Sequence, residues 1–175
     1  NIAPVNVSCN GGCNGTATAT PAGGTSPYIY SWSNGQAAQT AKNLCADTYT
    51  VTVTDAKGST ITSTITITQP AVLTASIATS TNVTCMALSN GSATVSATGG
   101  SPTYAYSWNP PIGGQAAAMA TGLCAGNYIV TVTDVNGCTD TQMVAITQPP
   151  AIAVTLTSTP DKCSKNNGTV SASVS

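Results

Sequence analysis

The chain repeats itself. Asn6-Val7-Ser8-Cys9 returns as Asn82-Val83-Thr84-Cys85, 76 positions on, and Tyr28-Ile29-Tyr30-Ser31-Trp32 returns as Tyr104-Ala105-Tyr106-Ser107-Trp108 at the same offset. Leu44-Cys45-Ala46 and Tyr49 to Asp55 return as Leu123-Cys124-Ala125 and Tyr128 to Asp134, now at an offset of 79. Three residues have therefore entered the second copy between these blocks, around Pro110 to Gly114. Thr68-Gln69-Pro70 returns as Thr147-Gln148-Pro149, and a third copy opens near Cys163 and carries Asn167-Gly168-Thr169. Self-similarity at a fixed period marks an array of modules, each one structural unit. We divide the chain at the Gln-Pro steps: residues 1–69 form a first module lacking its opening strand, 70–148 a second, and 149–175 the start of a third.

Within a module the pattern is that of strands. Tyr28, Tyr30 and Trp32 alternate and share one face, as do Tyr104, Tyr106 and Trp108. Tyr49, Val51 and Val53 face away from Thr50, Thr52 and Thr54, and Ile61, Ile65 and Ile67 face away from a threonine row. β-Branched residues suit such a pleated surface. Asp55-Ala56-Lys57-Gly58 and Asp134-Val135-Asn136-Gly137 separate alternating runs and read as hairpin turns. Six or seven short strands per module, with a Trp near the middle of the third, predict an all-β protein of tandem immunoglobulin-like antiparallel β-sandwich modules. The proline-bearing joints are short, so the modules are expected to form a stiff rod.

Charge excludes several functions. The 175 residues hold 4 Lys, 5 Asp and no Arg, Glu or His, for a net charge of −1. Nucleic acid is not an expected partner, because such surfaces need clustered Lys or Arg. No apolar run approaches the roughly 20 residues that span a bilayer as a helix, so direct membrane insertion is not expected. Catalysis lacks its usual base, acid and anion clamp. We therefore expect no enzyme activity, no cofactor and no metal. Asp55 and Asp134 each stand alone in a turn, whereas calcium wants six to eight oxygens. The surface is instead Thr, Ser, Asn and Gly, whose hydroxyls and amides keep it wet without charge. Seven cysteines point to an oxidising compartment and to disulfides, since no CxxC or Cys/His pair gives zinc-ligand spacing.

Residues 14–20, Gly23-Gly24, Pro27 to Gly35 and Leu44 to Asp55, with their second-copy counterparts at Gly99-Gly100, Tyr104 to Trp108 and Leu123 to Cys138, closely resemble the SprB-type repeat. That family occurs in very large surface proteins of Bacteroidetes bacteria, including the mobile adhesin of gliding motility. The resemblance implies export by the type IX secretion route and display on the cell surface as long filaments. It implies a structural or adhesive role, as stalk or adhesin in surface attachment or in gliding motility. Its partners would be neighbouring modules of the same chain and a surface polysaccharide or substratum. The competing reading is a carbohydrate-binding sandwich, or an accessory region of a secreted enzyme, with the six aromatics Tyr28, Tyr30, Trp32, Tyr104, Tyr106 and Trp108 as a sugar platform; their alternation instead makes them core.

Two residue sets carry site expectations. Asn6, Asn14, Asn82, Asn90 and Asn167 each begin an Asn-X-Ser/Thr triplet and are candidate glycan acceptors. The cysteines occupy four module positions: Cys9, Cys85 and Cys163; Cys13, replaced by Ser89; Cys45 and Cys124; and Cys138, replaced by Ser59. In an immunoglobulin-like strand order, Cys9–Cys45 and Cys85–Cys124 are the first choice of pairing, with Cys13–Cys45 and Cys85–Cys138 as the rival. Either scheme strands a cysteine in each longer copy, free to join a neighbouring module or chain.

Overall fold

The computed structural model describes residues 1–109, 116–160 and 168–174, and every regular element in them is a β-strand. The first unit contains β1 (Ile2–Val5), β2 (Gly15–Ala19), β3 (Ile29–Trp32), β4 (Thr40–Leu44), β5 (Asp47–Thr54) and β6 (Thr60–Ile67). Its two antiparallel sheets have orders β1-β2-β4 and β3-β5-β6. The second unit repeats the plan with β7 (Thr74–Thr81), β8 (Gly91–Thr98), β9 (Ala105–Asn109), β10 (Met119–Leu123), β11 (Gly126–Thr133) and β12 (Thr139–Ile146), in sheets β7-β8-β10 and β9-β11-β12. A hairpin of β13 (Val154–Thr159) and β14 (Thr169–Val174) follows. One expectation is corrected here. The first unit does have an opening strand, because β1 pairs with β2 from Ile2↔Ala19 to Val5↔Thr16 and matches the second half of β7.

Each sandwich packs mostly small side chains of one sheet, with Leu44 or Leu123 at the end of its edge strand, against larger ones of the other. Ala17, Ala19 and Ala41 come from one sheet of the first unit, and Trp32, Val51, Val53 and Ile67 from the other. Ala75, Ala93, Val95 and Ala120 likewise face Trp108, Val130, Val132, Val144 and Ile146. Two sheets about 10 Å apart are filled when bulk on one inner face meets slight side chains on the other. On the outer faces, hydroxyls pair across strands in place of ions: Thr18 with Thr40 at 2.9 Å, Thr48 with Thr66 at 3.1 Å, and Ser76 with Ser96 at 2.8 Å.

The two motifs that open and close each module meet in space. Val7 N–H donates to Thr68 O and Thr68 N–H to Asn6 Oδ1, both at 3.0 Å. Val83, Thr147 and Asn82 repeat both bonds at 3.0 Å. The recurrence of Asn-Val-Ser/Thr-Cys and Thr-Gln-Pro thus has a physical cause, a clasp that ties the last strand to the loop after the first.

Candidate functional site

The tryptophans are buried, at 2 % exposure for Trp32 and 4 % for Trp108. Their indole N–H groups donate to Ala38 O at 2.8 Å and Ala117 O at 3.1 Å. Tyr28, Tyr30, Tyr104 and Tyr106 are half-buried against the same cores. Tyr28 and Tyr104 also donate to Gly23 O and Gly99 O, at 2.8 and 2.6 Å. The two indoles are thus closed to a sugar. Two further tyrosines, placed by the sequence only on a strand face, have a hydroxyl role: Tyr49 and Tyr128 donate to the carbonyls of Cys45 and Cys124, four residues upstream, each at 3.2 Å. This is the tyrosine corner of immunoglobulin-like sandwiches. The Leu-Cys-Ala…Tyr spacing, present in both copies, was the available signal.

The hairpin aspartates cap their own turns. Asp55 accepts backbone N–H groups from Lys57 at 2.9 Å, Ser59 at 2.8 Å and Thr25 at 3.0 Å. Asp134 accepts from Asn136 and Cys138 at 2.9 Å and from Ser101 at 2.8 Å. The Ser59 N–H, then that of Thr25, holds the Asp55 carboxyl below its ordinary range. For Asp134 the largest such cause is the Ser101 N–H, opposed by partial burial. Among the described residues no group of three metal-ligating side chains occurs. One groove, lined by Gly24, Tyr28, Val53 and Asp55, holds about 160 Å³, and another, lined by Thr84, Cys85, Met86 and the 149–152 linker, about 380 Å³, against roughly 300 Å³ or more for a small-molecule site.

The triplet asparagines hold loops. Asn14 Oδ1 accepts from Ser8 N at 3.0 Å, and its Nδ2 donates to Ser8 Oγ at 2.6 Å. Asn90 does the same to Thr84, at 3.2 and 2.6 Å. Asn6 and Asn82 serve the clasp. All four are exposed. Asn167 lies outside the described residues.

The cysteines depart from the first-choice pairing. Cys13 joins Cys45, and Cys9 joins Cys138, 129 positions away, with Cα atoms 5.7 Å apart. Cys85 and Cys124 are exposed free thiols. Neither Cys9–Cys45 nor Cys85–Cys124 forms, and of the rival pairing only Cys13–Cys45 does. The reason is register. Gly15 is opposite Leu44 in the β2–β4 ladder, so the chain just before Gly15 lies beside Cys45. Cys9 lies farther along the loop, where it meets the β11–β12 turn of the second unit. In the second unit Ser89 Oγ stands 3.0 Å from Cys124 Sγ, the same juxtaposition with one sulfur missing. Cys163 lies outside the described residues.

The Cys9–Cys138 bond sits in a small polar joint. Asn136 Nδ2 donates to Ser8 O at 3.1 Å and to Ser101 Oγ at 2.8 Å. At the linker, Asn10 Nδ2 donates to Pro70 O at 3.0 Å and Gly11 N–H to Gln69 Oε1 at 2.7 Å.

These features define a tandem immunoglobulin-like repeat protein in which a polar joint links the first unit to the second. The SprB repeat family model matches residues 1–37 and 77–112, so these two stretches are similar to that repeat. Both stretches cover the first half of a unit; Leu44 to Asp55 and Leu123 to Cys138 lie beyond them. Among solved structures, the three N-terminal domains of the bacteriophage RB49 Highly Immunogenic Outer Capsid protein (Hoc) superpose with a TM-score of 0.50 at 18% identity, covering 99% of this chain and 68% of that one. The Dscam isoform-specificity structure (TM-score 0.37, 15% identity, 70% of this chain, 38% of that one) and the amphioxus IgVJ-C2 molecule (0.36, 16%, 84% and 96%) are more distant. No curated protein matches the chain. The repeat family and the disulfides suggest an extracellular or surface protein with an adhesin-like, non-catalytic repeat region.

Proposed function

We propose that this chain is a structural segment of a large repetitive cell-surface filament, serving as stalk or adhesin in surface attachment. The observation that carries the reading is the covalent joint between successive sandwiches, Cys9–Cys138, in a chain with two stretches similar to the SprB repeat. Successive units joined in this way build length, which a stalk needs and a lone binding module does not. In this reading the units follow one another as a rod, export uses the type IX route, and the filament is displayed at the outer membrane. Its partners are neighbouring modules and a polysaccharide or solid substratum, and a role in gliding follows if the filament moves. The carbohydrate-binding alternative finds no support in the aromatics, since both indoles are spent in the cores.

The test uses antibody raised against this segment on intact, unpermeabilised cells. Surface labelling along filaments, with loss of attachment when Fab fragments are added, is the expected result. Labelling only after permeabilisation would sink the proposal.

A further inference from the structure

We infer that the Cys9–Cys138 disulfide is a tension bypass, carrying a pulling force from the first unit straight into the last strand of the second. Cys9 lies four residues beyond β1, and Cys138 immediately precedes β12. The shortest covalent path through the two units is therefore β1, the disulfide, then β12 and the Gln148-Pro149 joint. Residues 10–137 lie off that path. They include β2 to β11, both tryptophans and the second disulfide, Cys13–Cys45.

The elements left on the path suit the load. β12 is paired with β11 over its whole length, from Thr139↔Thr133 to Ile146↔Gly126. A force entering at Cys138 and leaving beyond Ile146 runs end to end through this one extended strand, so its backbone carries the tension and its ladder to β11 is not peeled open from either end. The N–H···O bond from Asn136 to Ser8 and those from Asn10 and Gly11 to the linker hold the two units against each other around the sulfur bridge. The bond has no rival within the first unit, where Ser59 stands at the place of Cys138 and Cys13 already occupies Cys45.

The two disulfides are nested, which gives the inference a numerical signature. A stretched chain spans at most about 3.5 Å per residue. The outer bond withholds 129 positions, about 450 Å of contour, and the inner one 32 positions, about 110 Å. The test stretches the full 175-residue chain singly, with handles at its two ends, under oxidising conditions. Cys138→Ser, which installs the residue the first unit carries at this place, is expected to lengthen the fully unravelled chain by about 340 Å over wild type, because Cys13–Cys45 still closes its own loop. Cys13→Ser alone is expected to change nothing, since its loop lies behind the bypass. The two together are expected to add about 450 Å. A wild-type chain that extends as far as Cys138→Ser overturns the inference, as does peptide mapping that finds Cys9 and Cys138 unlinked in the folded protein.

Should Cys138→Ser fail to fold, wild type held at constant force in a dithiol answers the same question. The dithiol passes two electrons and two protons to the bond, leaving two cysteine thiols while it closes to its own cyclic disulfide. A lengthening of about 340 Å on that first reduction supports the bypass; unravelling of residues 10–137 before any reduction overturns it. The measurement concerns only the covalent path of this chain, so its failure and that of the adhesive reading are separate results.

Discussion

Gly15 and Gly91 sit where a side chain has no room. A Cβ at Gly91 would lie 2.8 Å from Ile146 Cγ2 and 2.9 Å from the Leu123 carbonyl oxygen, and one at Gly15 would meet Ile67 and Leu44 at the same distances. The backbone carbonyl cannot swing aside as a flexible side-chain tip does. Gly91→Ala should therefore destabilise the second unit by about 1–3 kcal/mol, the usual cost of overpacking, read as a lower midpoint in chemical denaturation. An unchanged midpoint would show that the sheets part easily. The same geometry accounts for the recurring Asn-Gly-Thr/Ser triplet without invoking sugar: Asn pins the loop, Gly admits the facing sheet, and the hydroxyl residue begins the outward face of the strand.

Among the elements, the β5–β6 and β11–β12 hairpins depend on a carboxylate that accepts three backbone N–H groups. The folded chain holds Asp55 and Asp134 below their ordinary values. A carboxyl depressed in the folded state stabilises fully above its unfolded value of about 3.9 and loses that contribution as pH falls through the folded value. The melting temperature should thus be level above about pH 5 and fall below about pH 4. Asp134→Asn should lower it at neutral pH and flatten the acid limb. An acid limb unaltered in Asp134→Asn would assign the effect to other carboxyls. The alternation in β5 and β11 made these hairpins legible in the sequence. The third donor was not, because Thr25 and Ser101 come from a distant loop that folding brings across the turn.

Across the whole molecule, the disulfides set what can separate from what. In the chain-entropy picture a loop of 129 residues contributes about 5 kcal/mol to stability and one of 32 about 3.7 kcal/mol, as upper values that do not add for nested loops. Thiol alkylation of the native protein followed by peptide mapping should find Cys85 and Cys124 modified, Cys9 linked to Cys138, and Cys13 linked to Cys45. A Cys85–Cys124 link would contradict the register of the structure. Cys85 occupies in the second unit the place that Cys9 holds in the first, yet it is exposed and unpaired.

The sequence by itself determined the repeat, all of its strands but the first unit's opening one, its buried indoles and its resemblance to the SprB repeat, because alternation and turn chemistry are local and were written twice. Trp32 and Trp108 needed only the odd–even rule to be placed inside. The cysteine partners were decided by tertiary structure alone. Whether Cys9 or Cys13 meets Cys45 depends on a β2–β4 register set by strands 25 positions apart, and whether Cys9 meets Cys138 depends on how two folded units abut. Such contacts arise only once each core has closed and its loops have been carried to one end, which no spacing of residues along the chain records.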